Sequence, residues 1–285
     1  MQKIWVCGAR GQIGQAVNDV VDKLEFEMLD TDVDDLDVTD TDEVLRFGEM
    51  NRPDIIINCS GMTDISSCEE NPSQAFKVNA LGARNLAIVA AKMQAKMVQL
   101  STDDVFDGKS TEPYTEFDIT NPGTVYGKSK LAGENYVKEF TTKHFIVRST
   151  WVYGKGQNFI NGFLKKVDAG EQLSIASDQF GSPTSANELA RFLLHLVHTS
   201  EYGTYHATNK GVCSRYAFAQ EILKMTGKTA SMQPVPTVMS DFSKVRPAYA
   251  VLDNFIMSMV PIYDFPDWQD SLREYLEKRG LYHAE

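Results

Sequence analysis

No stretch of this 285-residue chain stays apolar for the length of a membrane span, and Met1 is followed almost at once by a strand pattern rather than a basic start and an apolar leader. A soluble, cytoplasmic protein with no membrane partner is therefore expected. Positive charge is also scarce. The 28 Lys and Arg stand against 39 Asp and Glu, and a net charge of -11 argues against a nonspecific nucleic-acid partner. An anionic ligand would need local basic residues. Cysteine is limited to Cys7, Cys59, Cys68 and Cys213, with neither C-x-x-C nor metal-ligand spacing. Cys7 and Cys59 end apolar runs, so buried free thiols in a reducing compartment are expected. Internal repeats and low-complexity linkers are absent, and the length suits one large domain or two closely joined ones.

What is present begins with Lys3-Ile-Trp-Val-Cys7, a short apolar run, then Gly8-Ala-Arg10-Gly11-Gln12-Ile13-Gly14 and an amphipathic stretch from Gln15 to Leu24. This is a strand, a glycine turn and a helix. G-x-x-G-x-x-G spacing lets the backbone turn tightly and approach a pyrophosphate, with the helix start supplying amide donors and a positive dipole. Phe26-Glu-Met-Leu-Asp30 reads as a second strand ending in a carboxylate about twenty residues on, where a dinucleotide fold binds the adenosine ribose. Asp30 favours NADH. Arg10 could pair with a 2′-phosphate, so use of NADPH stays open.

Asp40-Thr-Asp-Glu43 has the form of a capping box before a helix from Val44 to Met50, which Arg52-Pro53 ends. Asp54 to Asn58 is a third strand. A helix pattern then runs from Ser73 to Met93, with Asn79 inward if the stripe of Phe76, Ala80 and Ala83 is buried. Lys96 to Ser101 is a fourth strand and delivers Thr102 and Asp103 at its carboxyl end, the edge where open parallel sheets bind ligands. Tyr126 and Lys130 follow on a helix reaching Phe140, before a strand from His144 to Arg148. Four residues apart, the two side chains share one helix face. An ammonium near the phenol favours phenolate and suits it to exchange a proton with a carbonyl oxygen, to which Thr102 adds a hydroxyl hydrogen bond.

This β-α alternation predicts an α/β fold, a Rossmann-type doubly wound parallel sheet. Beyond Trp151-Val-Tyr-Gly154 the alternation stops: helices are expected over 159–168, 187–198 and 216–225 and near 267–278, with a short strand at Leu173 to Ala176. Residues 1–155 are expected to form the dinucleotide-binding domain and 156–285 mainly a smaller α+β substrate domain, with 185–200 packing back on the sheet. The site would lie in the cleft between them.

Gly8-x-x-Gly11-Gln-Ile-Gly14, Ser101-Thr-Asp-x-Val-Phe-Asp-Gly108, Tyr126-Gly-Lys-Ser-Lys130 with Gly133-Glu134, Arg148-x-x-Trp-Val-Tyr-Gly154, Asn158-Phe159, Asp178-Gln-x-Gly-x-Pro-Thr184 and Arg246-Pro247 together resemble the dTDP-4-dehydrorhamnose reductases, a family of extended short-chain dehydrogenases. The resemblance covers nearly the whole chain. It implies reduction by NADH or NADPH of the C4 ketone of a dTDP-linked 6-deoxy sugar, giving dTDP-rhamnose. Carried over by position, Tyr126 is the proton donor, Lys130 tunes it and holds the nicotinamide ribose, and Thr102 orients the carbonyl. Gly11, Gln12 and Ile13 would hold the pyrophosphate, Asp30 the ribose, Asp37 and Val38 the adenine, and Gly61, Met62, Thr63 and Leu100 the strand ends. Thr102, Asp103 and Trp151 would touch the sugar, and Arg246 the diphosphate.

Four positions depart from that family's usual pattern: Asp104 replaces Tyr, Met62 an aromatic or His, Ser66 an Asp, and Ala250 a Ser. A carboxylate at 104 alters the shape and charge of a sugar pocket, so a reductase of another nucleotide-linked 4-keto-6-deoxy sugar is the alternative. A regulatory subunit resembling that of methionine adenosyltransferase is a third reading, against which the Thr102, Tyr126 and Lys130 set weighs. Some members of the resembled family use Mg2+. No carboxylate cluster here has the spacing to hold it, so no metal is expected; a monomer or homodimer is.

Overall fold

The computed structural model describes residues 1–239 and 247–283. Strand β1 (Gln2–Cys7) leads through the glycine turn into α1 (Gln12–Val20), and β2 (Phe26–Thr31) into α2 (Thr41–Asn51). Next come β3 (Ile55–Asn58), α3 (Ile65–Glu70) and α4 (Pro72–Phe76). A π-helical turn, Lys77–Gly82, joins α4 to α5 (Ala83–Met93). Then follow β4 (Lys96–Thr102), a 3-10 turn at Asp103–Val105, α6 (Val125–Phe140) and β5 (His144–Ser149).

The second part contains β6 (Val152–Tyr153), α7 (Phe159–Asp168), β7 (Leu173–Ala176), β8 (Phe180–Gly181), β9 (Thr184–Ser185) and α8 (Ala186–Val197). It continues with β10 (Gly203–His206), β11 (Cys213–Ser214), α9 (Arg215–Thr226) and β12 (Met232–Val235). Last are β13 (Tyr249–Ala250), α10 (Phe255–Met259) and α11 (Trp268–Lys278).

One six-stranded sheet, ordered β10-β5-β4-β3-β1-β2 with every pairing parallel, organises the molecule. Its inner strands are buried on both faces, as the unbroken Ile55-Ile-Ile57 run requires. Ile4, Val6, Ile55, Ile57 and Val98 join α1 and α8 on one side, while Trp5, Cys7, Ile56, Met97 and Ile146 join α2 and α5 on the other. The fold is thus an α/β doubly wound sheet of Rossmann type. The chain leaves β1 for one edge and returns through β3 on the other side, so the strand order reverses between them. That is where open α/β sheets form their ligand crevice. A separate apolar core gathers Tyr153, Phe163, Leu173, Phe218, Trp268 and Leu276.

Several local expectations need correction. Helix α1 starts at Gln12 rather than Gln15, because Gly11 serves as its N-cap. Asp40 caps α2 by accepting from the Asp42 and Glu43 amides, but Glu43 does not reach back to it. The Asp40 amide is already taken by the Asp37 carbonyl at 2.9 Å, and Glu43 accepts from the Asp37 amide instead. The helix drawn from Ser73 to Met93 is interrupted by the π turn, and Phe76 is 38% exposed rather than part of the buried stripe. Strand β10 was not anticipated: it starts at a glycine on the sheet edge and carries no apolar run.

Candidate active site

Two loops meet at the carboxyl ends of β1 and β3. Gly8 has φ +76°, and a Cβ there would lie 2.8 Å from the Ser60 amide nitrogen. A Cβ on Gly14 would meet the Gly8 carbonyl at 2.4 Å. Glycine at these two positions is therefore a packing requirement. Gly11 offers no side-chain cap to α1, leaving its first-turn amides without the partner that a Ser or Asp would give. Buried Gln12 Oε1 has no hydrogen-bond partner, while Gln12 Nε2 reaches the Gln157 carbonyl at 3.1 Å. Unclaimed helix-start amides and close backbone approach fit the pyrophosphate of a dinucleotide.

Other residues expected at the cofactor are distributed around this turn. Ile13 packs on the sheet core, and Leu100 is buried in that core. Asp30 is exposed at the end of β2, opposite Val6 of β1. Asp37 is exposed, but Val38 turns inward against Gly82. Gly61, Met62 and Thr63 form the loop after β3, with Met62 half-buried and the other two exposed. The guanidinium of Arg10 lies across the loop after β2 rather than over open space.

Helix α6 buries Tyr126, Gly127, Lys130, Gly133, Glu134 and Val137 along one face. Thr124 caps it by accepting from the Gly127 amide at 2.9 Å, and the Glu69 carboxylate accepts from the Val125 amide at 2.8 Å. Two glycines seat this face. A Cβ on Gly127 would lie 2.0 Å from the Asp104 carbonyl oxygen, and one on Gly133 would lie 2.4 Å from the Asn79 carbonyl oxygen. The 3-10 turn holding Asp104 is capped by Thr102, whose Oγ1 accepts from the Asp104 amide at 3.2 Å. Tyr126 and Lys130 therefore share the face that rests on the turn Thr102 organises.

The Lys130 amine is buried, 3.7 Å from where a Gly61 Cβ would lie. Burial pushes it down to about 8, against the opposing pull of Glu134 and Cys59. Four residues beyond, Glu134 is buried and accepts from Arg148 Nε at 2.9 Å, Arg148 Nη2 at 2.7 Å and Ser101 Oγ at 2.5 Å. Burial raises its carboxyl, but the Arg148 fork and the Ser101 hydroxyl hold it below the ordinary carboxylate value. Asn79 joins the parts. Its Oδ1 accepts from the Met62 amide at 2.8 Å, and its Nδ2 donates to the Met62 carbonyl at 3.0 Å and Ser129 Oγ at 2.9 Å.

Asp103 and Asp104 are buried in the 3-10 turn, with Asp103 Oδ1 3.2 Å and Asp104 Oδ2 3.4 Å from Thr102 Oγ1. Trp151 stands two residues past β5, whose Ser149 pairs with Thr102. Its φ of +47° is unusual for a bulky residue, and its indole lies between Gly181 and the Arg215 guanidinium 3.4 Å from the ring centre. Arg246 lies outside the described residues. Among the described residues no group of three or more His, Cys, Asp or Glu is gathered as a metal site, and no helix is long and apolar enough to cross a membrane.

The sequence marks Asn79 only as inward-facing and Glu134 only as part of a motif, and nothing in it singles out Glu69. The spacing of Glu134 from Lys130 was a usable signal. Asn79 lies inward beside buried Ala80 and Ala83, as the helical stripe predicts, but its hydrogen bonds to Met62 and Ser129 leave no mark in the sequence.

A glycine turn at the switch point, with Tyr, Lys and Thr gathered at the same sheet edge, defines an oxidoreductase of the short-chain dehydrogenase/reductase type. The chain belongs to the dTDP-4-dehydrorhamnose reductase family, and the family model described as RmlD substrate binding domain matches residues 1–280. It is 35% identical to the spore coat polysaccharide biosynthesis protein SpsK of Bacillus subtilis (strain 168), covering 98% of this chain and 99% of that one. A crystal structure of a dTDP-4-dehydrorhamnose reductase from Clostridium acetobutylicum is 40% identical with a TM-score of 0.95, covering 98% of this chain and 100% of that one. A dTDP-4-dehydrorhamnose reductase of Bacillus anthracis, solved in complex with NADP, is 35% identical with the same TM-score and coverage.

Proposed function

We propose that this protein reduces the C4 ketone of dTDP-4-dehydro-L-rhamnose to give dTDP-L-rhamnose. The observation carrying this reading is the buried face of α6, which sets Tyr126 and Lys130 against the turn capped by Thr102. Gly11, Gln12 and Ile13 would hold the pyrophosphate of the cofactor, and Asp30 the adenosine ribose. Bound there, a reduced nicotinamide dinucleotide supplies hydride. Tyr126 gives its phenolic proton to the ketone oxygen, and the Lys130 ammonium stabilises the resulting phenolate. The Thr102 hydroxyl orients that oxygen. Trp151 and the smaller core around Phe163, Phe218 and Trp268 would form the sugar side of the cleft, and the cytoplasm would supply the reduced cofactor.

A reductase of a different nucleotide-linked 4-keto-6-deoxy sugar is the second reading. Asp104 favours it, because its carboxylate lies 3.4 Å from the Thr102 hydroxyl. The test is oxidation of NADH and NADPH with dTDP-4-dehydrorhamnose beside other such sugars. Turnover giving dTDP-rhamnose, reduced by about 10²–10⁴-fold in Tyr126→Phe, is the expected result. Turnover with another sugar alone would move the assignment to the second reading; silence on all of them would sink both and favour a non-catalytic dinucleotide-binding role.

A further inference from the structure

The acidic loop after β2 lies directly on the glycine turn. The Thr31 carbonyl accepts from the Gly8 and Ala9 amides at 2.9 and 3.1 Å, and Asp32 Oδ2 accepts from the Arg10 amide at 2.8 Å. The Arg10 side chain then runs into the loop. Its Nη2 is 3.1 Å from Asp35 and 3.3 Å from Asp34, and its Nε is 3.9 Å from Asp32. Asp35 Oδ2 also accepts from the Asp32 amide at 3.0 Å, which fixes its carboxylate beside the guanidinium.

This corner of a dinucleotide fold receives the adenosine ribose, so it meets the 2′-hydroxyl of NADH or the 2′-phosphate of NADPH. Arg10 is the loop's natural phosphate ligand by its planar fork. Here that fork is held by carboxylates. With Asp30 next to last in β2, four carboxylates stand in or beside this corner against one guanidinium. The pairs with Asp34 and Asp35 are exposed and individually weak. Their summed charge is what matters, because a phosphate dianion would enter a negative field whose cation is already engaged.

Resting on the dinucleotide site of the proposed function, we propose that Asp34 and Asp35 form a charge gate at the adenosine 2′ position, making this chain select NADH over NADPH. The gate acts through Arg10, which both carboxylates occupy. Removing their charge while keeping their shape releases the guanidinium for a 2′-phosphate.

The test is a binding titration of NADH and NADPH by fluorescence, which needs no sugar substrate. The unmodified protein is expected to bind NADH at least about tenfold more tightly at low salt, a preference that shrinks as ionic strength rises from about 0.01 to 1 M. The pair Asp34→Asn with Asp35→Asn should move the affinity ratio at least about tenfold toward NADPH, roughly 1.4 kcal/mol. Adding Arg10→Ala should cancel that gain. Equal or tighter NADPH binding by the unmodified protein overturns the gate, as does an unchanged ratio in the double variant. Should that variant fail to fold, a salt-indifferent NADH preference in the unmodified protein overturns it equally. Failure of either dinucleotide to bind would instead refute the site itself.

Discussion

Gly127→Ala isolates the seating of the catalytic helix from the chemistry of its side chains. The new methyl carbon would start 2.0 Å from the Asp104 carbonyl oxygen and 2.8 Å from its carbonyl carbon. A carbon and an oxygen settle at about 3.3 Å or more, so helix and turn must separate by roughly 1.3 Å. Overpacking of this kind costs about 1–3 kcal/mol. Up to about 1 kcal/mol is recovered because Ala suits a helix better than Gly. For a chain of this size the net should lower the midpoint of thermal unfolding by less than about 8 °C. Turnover should suffer far more. Tyr126 adjoins the altered residue, and a displacement of about 1 Å costs on the order of 10²-fold in rate. The assay is steady-state oxidation of reduced nicotinamide with the sugar substrate, paired with thermal unfolding. Gly123→Ala is the control, since its added carbon would meet nothing within 4 Å. Turnover in Gly127→Ala within threefold of the parent would refute the claim that this contact positions the phenol.

Lys130 gives a pH signature. With its amine near 8, the ammonium is present below that pH, so turnover should fall as pH rises through about 8; a flat profile to pH 10 would contradict its role. Stability runs the other way. Because the folded value lies below the ordinary 10.5, the unfolded chain binds more protons between the two, and this residue's contribution to stability rises with pH across about 8–10.5; Lys130→Met should abolish that rise in pH-dependent unfolding. Glu134→Ala strands the Arg148 guanidinium, itself 3% exposed, and should cost about 3–5 kcal/mol, measured by denaturant unfolding. A loss below about 1 kcal/mol would show that the pair adds little. Asn79→Ala unpairs the Met62 amide, leaves the Met62 carbonyl with only the Cys68 thiol and removes one Ser129 contact, for a loss of about 2–3 kcal/mol by the same measurement. Unfolding unchanged from the parent would remove Asn79 from the framework.

Strands β1 to β5 were legible because each is a short apolar run ended by polar or turn residues, and a strand buried on both faces needs little else. Helix ends were less legible. Glu43 looked like the second half of a capping box, yet the amide it should have met was claimed by a carbonyl three residues earlier. The π turn at Lys77–Gly82 leaves no mark in composition, so a regular 3.6-residue reading turns Asn79 inward correctly but wrongly buries Phe76. Strand β10 escaped because edge pairing asks for backbone rather than apolar side chains. At the site, the four-residue step from Tyr126 to Lys130 placed both on one face, since that step is a property of any helix. Arg148 meeting Glu134 was beyond reach, as it depends on where β5 lies beneath α6.

The helix seat also bears on how such a chain can change. Position 104 touches Gly127 through its carbonyl oxygen, and position 62 is fastened to Asn79 through its own amide and carbonyl. Every amino acid brings a carbonyl, and all but proline an amide. The side chains at 104 and 62 can thus be exchanged across a lineage while the backbone contacts that seat Tyr126 and Lys130 stay where they were.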